Sequence, residues 1–506
     1  MSNDRSKGLI NLGIVGGVIL LAIFIAYLFG KEYVDLVFTV LKAIGLTLLG
    51  ITLLVTIHEL GHFLAAKAFG IRVEIFSIGF PPKLIGFKSG DTEYQLSLTP
   101  LGGYVKISGM IDESMDTDYL EEEPKDYEFR SKPVWQRFIV MVAGVVMNVL
   151  LGIFIFSMIY LAKGDIKTPI SELTYGIRVE DSLKSENKCG EEIDATTLGH
   201  FLGFRTGDKL LSYNGTSFPY LEDYNDPNLL LETNSYFEVE REGQIEKIVV
   251  PQGILNEFSN DSVVPILFGV SIPPVVSVVD TVDGGIPTPA AKADLRSGDW
   301  ILSIDGQPIR FYTDLMEAVP NHAYDTLPVS VIRGVDTLAL TVVMDSTSKL
   351  GVLPDTMFLS GIKRDTLKYG FFESFKPGFN KAFTVLSGNV KGLGQVATGQ
   401  VNARKSVMGP IAIGKKYLET YVIGGWTAFM SLTAMLSMIL AFMNILPIPA
   451  LDGGHILFLL IEAVTRRKPS TKVLMIAQQA GFIIIVGLML LILFNDTFTH
   501  IFYNCG

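Results

Sequence analysis

Cysteine is almost absent: the chain of 506 residues has two, Cys189 and Cys505. Far apart and in different settings, they suggest neither a disulfide framework nor a thiolate metal site. Charge is scarce as well. Asp, Glu, Lys and Arg make up 18% of the residues against 49% hydrophobic, and mean hydropathy is +0.39, outside the usual soluble range. What charge there is does not favour polyanions: a formal net charge of −11 argues against nucleic acid as a partner. A cleavage signal is also missing. MSNDRSKG and the apolar run behind it resemble a secretory leader, but the run is too long and no small-residue cleavage site follows. Segment 8–29 therefore reads as a retained transmembrane helix.

Long apolar runs are what the sequence has in quantity. A bilayer core takes about 20 mostly apolar residues per helix. By that measure about five transmembrane helices are expected: 8–29, 35–69 with its apolar part ending near 57, 133–162, 425–465 with its apolar part ending near 446, and 473–494. Lys132 and Arg137 on one side and Lys163 on the other bracket the third. Lys and Arg outside the spans set the orientation. Arg5 and Lys7 precede the first span, and Arg72, Lys83, Lys88, Lys106, Arg130 and Lys132 lie in the loop 70–132. Arg466, Arg467, Lys468 and Lys472 precede the last span. Counting crossings puts the N-terminus and these loops in the cytoplasm, and the soluble region after 163 and the C-terminus outside.

That outside region repeats itself. RTGDKLLSYNGTSF (205–218) matches RSGDWILSIDGQPI (296–309), each with a Gly-Asp turn, a short apolar run and then Asn-Gly or Asp-Gly, a hairpin signal. Two copies at domain-sized spacing indicate tandem β-rich domains, placed at 165–255 and 263–346. The pattern resembles PDZ domains, which capture an extended peptide along a sheet edge. Spacers without a ligand are the alternative. Segment 71–108 alternates strand-like runs with Gly and Pro turns and is too polar to span, so 70–132 reads as a membrane-associated β-region and loop whose backbone pairs internally. In 370–424, the Phe and Lys spacing of GFFESFKPGFNKAF fits an amphipathic helix on the membrane surface or an ordinary linker helix.

The chemistry starts at VTIHELGHFL (55–64), in the second span. His58 and His62 stand one helical turn apart, so both imidazoles can reach one ion. Glu59 sits beside that ion and suits a general base, while a catalytic zinc keeps one position open for water. Titratable groups in a membrane helix are costly and as a rule functional. Far away in sequence, FMNILPIPALDGGHILF (442–458) carries Asp452 in a segment broken by Pro447 and Pro449. The counted topology places both motifs at the same side of the membrane, where they can meet.

Taken together, HExxH in one helix, NxxPxPxLDG in a later one and tandem PDZ-like repeats between them resemble the site-2 protease family. Within it the order is similar to the regulator-of-sigma-E type of bacterial intramembrane zinc protease. The resemblance implies one zinc ion held by His58, His62 and Asp452, with Glu59 as catalytic base. It also implies substrate-binding roles for Asn444 of the NxxP motif, for Gly102, Gly103 and Tyr104 in LGGYVK, and for Asn148. The last lies in AGVVMN (143–148), which lacks the proline usual in that family segment. By the same resemblance the substrates are single-pass membrane proteins such as anti-sigma factors, or remnant signal peptides. The enzyme would sit in the bilayer of the bacterial inner membrane, with peptides as possible ligands of the PDZ domains. His455 carries a neutral or supporting role. Two other readings stay open: a metal-binding transporter component, since transporters also use broken helices, and a PDZ-based membrane adaptor. The transporter does not need Glu59, and the adaptor leaves both metal motifs unaccounted for.

Overall fold

The structure, a computed structural model, describes residues 16–17, 27, 31–110, 123–186, 192–232, 234–252, 254, 263–264, 266–279, 281–282, 286–319, 322–345, 349–354, 363–398 and 409–501. Among them are six long helices: α1 (Lys31–Ala68), α2 (Val134–Lys163), α3 (Phe375–Ala397), α4 (Pro410–Ile445), α5 (Asp452–Thr465) and α6 (Thr471–Ile501). Four segments are long and apolar enough to cross a membrane: Val37–Ala68, Val134–Lys163, Pro410–Ile445 and Lys472–Leu493. The expected span 8–29 lies almost wholly outside the described residues.

The sequence breaks α4 where glycine permits it. Gly425 has φ 60° and ψ −151°, so the helix reverses there and the expected fourth span begins at the break. Residues 410–424 fold back on the later half: the buried Tyr417 ring lies 5.2 Å from that of Phe429, and its hydroxyl 3.4 Å from Thr433 Oγ1. Gly50 of α1 leaves the space that the Tyr417 hydroxyl fills. Among its described residues, the linking segment 370–424 thus contains two helices. The first, α3, packs Gly378 on Ser157 of α2 and buries Ala382, while Phe379 and Phe383 stay exposed.

Between α1 and α2, strands β1 (Val73–Ser89) and β2 (Thr92–Ile107) form the β-region. Each strand bends, so the pair makes four segments side by side. Lys83–Ser89 pairs with Thr92–Ser97, which also pairs with Ile75–Ile78, and Val73–Ile78 pairs in turn with Gly103–Ile107. The outer segments are therefore 83–89 and 103–107. Ile71, Val73, Val105 and Ile107 bury their side chains with Val140 and Met141 of α2 and Ile456 and Leu459 of α5.

Two β-rich units follow α2, each with its own core. The first gathers Ile177, Phe204, Tyr224, Phe237 and Val239; the second gathers Ile301, Ile304, Val329, Val331 and Val342. Their limits differ from those expected. Val263–Val264 pairs with Glu192–Thr197 and Gly269–Val270 with Ile177–Arg178, so residues after 263 belong to the first unit, not the second. The second extends beyond 346, because Val352–Pro354 pairs with Val276–Val279. The repeat has a structural cause. In each copy the Asp of the Gly-Asp turn is buried and salt-bridged to an arginine on a later strand, Asp208 to Arg241 and Asp299 to Arg333, both at 2.7 Å. Burial alone would raise the Asp299 carboxyl, but hydrogen bonds from Arg333 and from the Arg296 amide outweigh it and hold the carboxyl below its ordinary value. Asn214-Gly215 and Asp305-Gly306 all have positive φ, the turn that matches strand twist in two-residue hairpins. The chain enters and leaves this pair of units along one short ladder, Asp165–Lys167 against Asp365–Leu367.

Candidate metal centre

Three helices build the centre. On α1, His58 and His62 are one turn apart and buried. On α2, Val140, Gly144 and Asn148 recur every fourth residue and line the face opposite them. The third contributor is the N-terminus of α5, where the loop 446–451 delivers Asp452 as the first helical residue. Its shape follows from the sequence: Pro447 and Pro449 cannot continue α4, Ala450 takes φ 78°, and Gly453 and Gly454 let α5 close against the loop's own carbonyls.

The donor atoms converge. His58 Nε2 lies 3.1 Å from His62 Nε2 and 3.1 Å from Asp452 Oδ2, and His62 Nε2 lies 3.3 Å from the same oxygen. Around an ion bound at about 2.0–2.1 Å, tetrahedral ligands stand roughly 3.3 Å apart, so this triangle has the dimensions zinc requires. Asp452 Oδ2 is buried without a hydrogen-bond donor, a costly arrangement that a cation would resolve. Two imidazoles and one carboxylate also leave a fourth position free, the donor set of a catalytic zinc. Among the described residues this is the group suited to hold a metal.

Glycine makes the approach possible. A Cβ on Gly144 would overlap His62 Nε2 and come 2.6 Å from His58 Cε1, and one on Gly61 would come 2.7 Å from the Ala143 carbonyl carbon. Neither glycine is legible from the metal motifs alone; the spacing of Gly144 and Asn148 on one face was the available signal. His62 Nδ1 donates to the Val140 carbonyl at 2.8 Å.

The other expected site residues fall in three places. Glu59 is half-buried on α1 next to His58. Asn444, near the end of α4, holds Nδ2 3.2 Å from His58 Nε2, and Asn148 is fully buried with its carboxamide 3.2 Å from His58 Nδ1. Gly102, Gly103 and Tyr104 lie farther along, in β2: the glycines are buried against Phe80 and the Ser77 carbonyl, and Tyr104 accepts a hydrogen bond from Gln95 Nε2 at 2.7 Å. Thr52 Oγ1, one and a half turns before His58, donates to the Pro100 carbonyl at 2.7 Å and fastens that part of β2 to α1. His455 is half-buried on α5 and outside the ligand triangle. One expected flanking charge proves to be internal. Arg137 is buried and makes two hydrogen bonds to Glu462 of α5, at 2.6 and 3.1 Å. A lone glutamate in an apolar helix was the sequence signal for that pair.

The sequence profile of Peptidase family M50 matches residues 46–488. A protein described as a regulator of sigma E protease in Haemophilus influenzae is 31% identical, over 90% of this chain and 98% of its own length. The regulator of sigma-E protease RseP of Escherichia coli is 29% identical, over 88% of this chain and 95% of its own. A protease RseP of Yersinia pestis is likewise 29% identical, over 90% of this chain and 99% of its own.

Proposed function

The chain belongs to peptidase family M50, and we propose from that membership and the site's geometry that it is an intramembrane zinc metalloprotease acting in regulated intramembrane proteolysis. The observation that carries this reading is the convergence of His58, His62 and Asp452 within 3.3 Å of one another, beside Glu59. These three residues would hold a zinc ion, which would supply Lewis acidity for polarising the scissile carbonyl and the attacking water. Glu59 takes the proton from that water and returns it to the leaving nitrogen. Asn444, close to His58 Nε2, supports the polarised carbonyl by donating from its amide.

A substrate helix hides its carbonyls in its own hydrogen bonds, so it must unwind before it can be cut. The outer segment 103–107 of the β-region supports a role in holding the unwound strand by edge pairing, with Gly102, Gly103 and Tyr104 at its start. The substrates are single-pass membrane proteins such as anti-sigma factors, or remnant signal peptides. The names of the relatives, regulators of sigma E, agree with that class. The distribution of Lys and Arg supports a cytoplasmic N-terminus in the bacterial inner membrane, with both β-rich units and the C-terminus outside. Those units are PDZ-like domains that filter substrates by size or bind peptides. The transporter and adaptor readings gain nothing from the family match.

The test is cleavage of a single-pass membrane protein in reconstituted vesicles by wild type and by Glu59→Gln. Loss of cleavage with zinc content unchanged is expected; cleavage at the wild-type rate would remove Glu59 as the base.

A further inference from the structure

We propose that Asn148 is a positioning residue of the metal centre: its carboxamide oxygen accepts the Nδ1–H of His58 and so aims the lone pair of His58 Nε2 at the ion. The inference rests on the reading of His58, His62 and Asp452 as zinc ligands and adds what makes the first of them present the right nitrogen.

His62 shows the pattern. Its Nδ1 faces the Val140 carbonyl at 2.8 Å, a group that can only accept. The ring proton therefore sits on Nδ1, and Nε2 turns a lone pair toward Asp452. His58 has the same need one turn earlier, and Asn148 lies two turns beyond Val140 on the same face of α2. Its carboxamide is 3.2 Å from His58 Nδ1 and fully buried. The two ends of a carboxamide have nearly the same shape, so the partners decide which end points where. If the Asn148 N–H donated to Nδ1, the proton of neutral His58 would sit on Nε2, which then could not bind an ion. With the oxygen toward His58, Nδ1–H donates to it and both histidines carry the same tautomer. Asn148 is itself anchored, because its backbone carbonyl accepts from Ser437 Oγ of α4 at 2.8 Å. α2 thus offers His62 a carbonyl, both rings a gap at Gly144, and His58 a carboxamide.

The test compares full-length wild type with Asn148→Leu, Asn148→Asp and Asp452→Ala in detergent. The readouts are zinc retention against a graded chelator and the visible spectrum after cobalt substitution. Asn148→Leu should lose zinc at about 10- to 100-fold lower chelator concentration with an altered cobalt spectrum. Asn148→Asp, which as a carboxylate can only accept, should hold zinc at least as well as wild type. Asp452→Ala should lose it outright. Wild-type zinc retention in Asn148→Leu, alongside loss in Asp452→Ala, would overturn the role of Asn148 and leave the ligand assignment standing. Wild-type retention in Asp452→Ala would overturn that assignment and the proposal with it. If Asn148→Leu fails to elute as a folded protein, Asn148→Asp decides alone, and zinc loss from that folded variant contradicts the proposal.

Discussion

Gly144 contributes only the absence of a side chain, and two imidazoles occupy the space it leaves. Adding one methyl group there would press on His62 Nε2 and on His58 Cε1, and helix α2 cannot retreat while Gly61 and Ala143 hold it against α1. Gly144→Ala should therefore purify with most of its zinc lost and cleave substrate at least about 100-fold more slowly. Gly487→Ala, at a position with open space around the missing Cβ, is the control and should keep both. Metal analysis of the purified variants separates the two outcomes. At this scale the converging side chains of His58, His62 and Asp452 were legible because each titratable group stands out in apolar sequence. The carbonyl of Val140 was not, since any residue supplies one.

Arg137 and Glu462 join the first turns of α2 to the body of α5, the helix that carries Asp452. Both are buried, and their two parallel hydrogen bonds form a bidentate pair. Truncating one partner leaves the other charge uncompensated, at a cost of about 3–5 kcal/mol. Glu462→Ala should therefore lower the thermal unfolding midpoint in detergent by several degrees, whereas Arg137→Met combined with Glu462→Leu should recover most of it. Equal loss in the double variant would mean that the pair does more than balance its own charges. Among the elements, the long helices follow from apolar length, and the hairpins at Asn214-Gly215 and Asp305-Gly306 from turn chemistry. The reversal at Gly425 was not legible, since a glycine in an apolar helix is more often tolerated than bent. The outer limits of the two β-rich units were missed for another reason. Val263–Val264 and Val352–Pro354 are short strands that join sheets begun far earlier in the chain, and local pattern carries no record of such pairing.

At the scale of the whole molecule, the two β-rich units are an insertion whose ends meet in a single ladder beside the end of α2. The membrane helices can therefore pack together as though the insertion were absent, which is how His58 and His62 near one end of the sequence come within 3.3 Å of Asp452 near the other. That convergence was readable in outline, because both motifs fall at the same side of the membrane when the spans are counted. If this centre cuts peptide bonds of membrane segments, the position of the cut must show it. The most direct measurement is the cleavage site in a single-pass reporter, mapped by mass spectrometry after incubation with wild type in vesicles. The cut is expected within or beside the reporter's membrane segment, abolished by zinc chelation and restored by adding zinc back. A cut confined to the reporter's soluble domain, or one that persists through chelation, would contradict it.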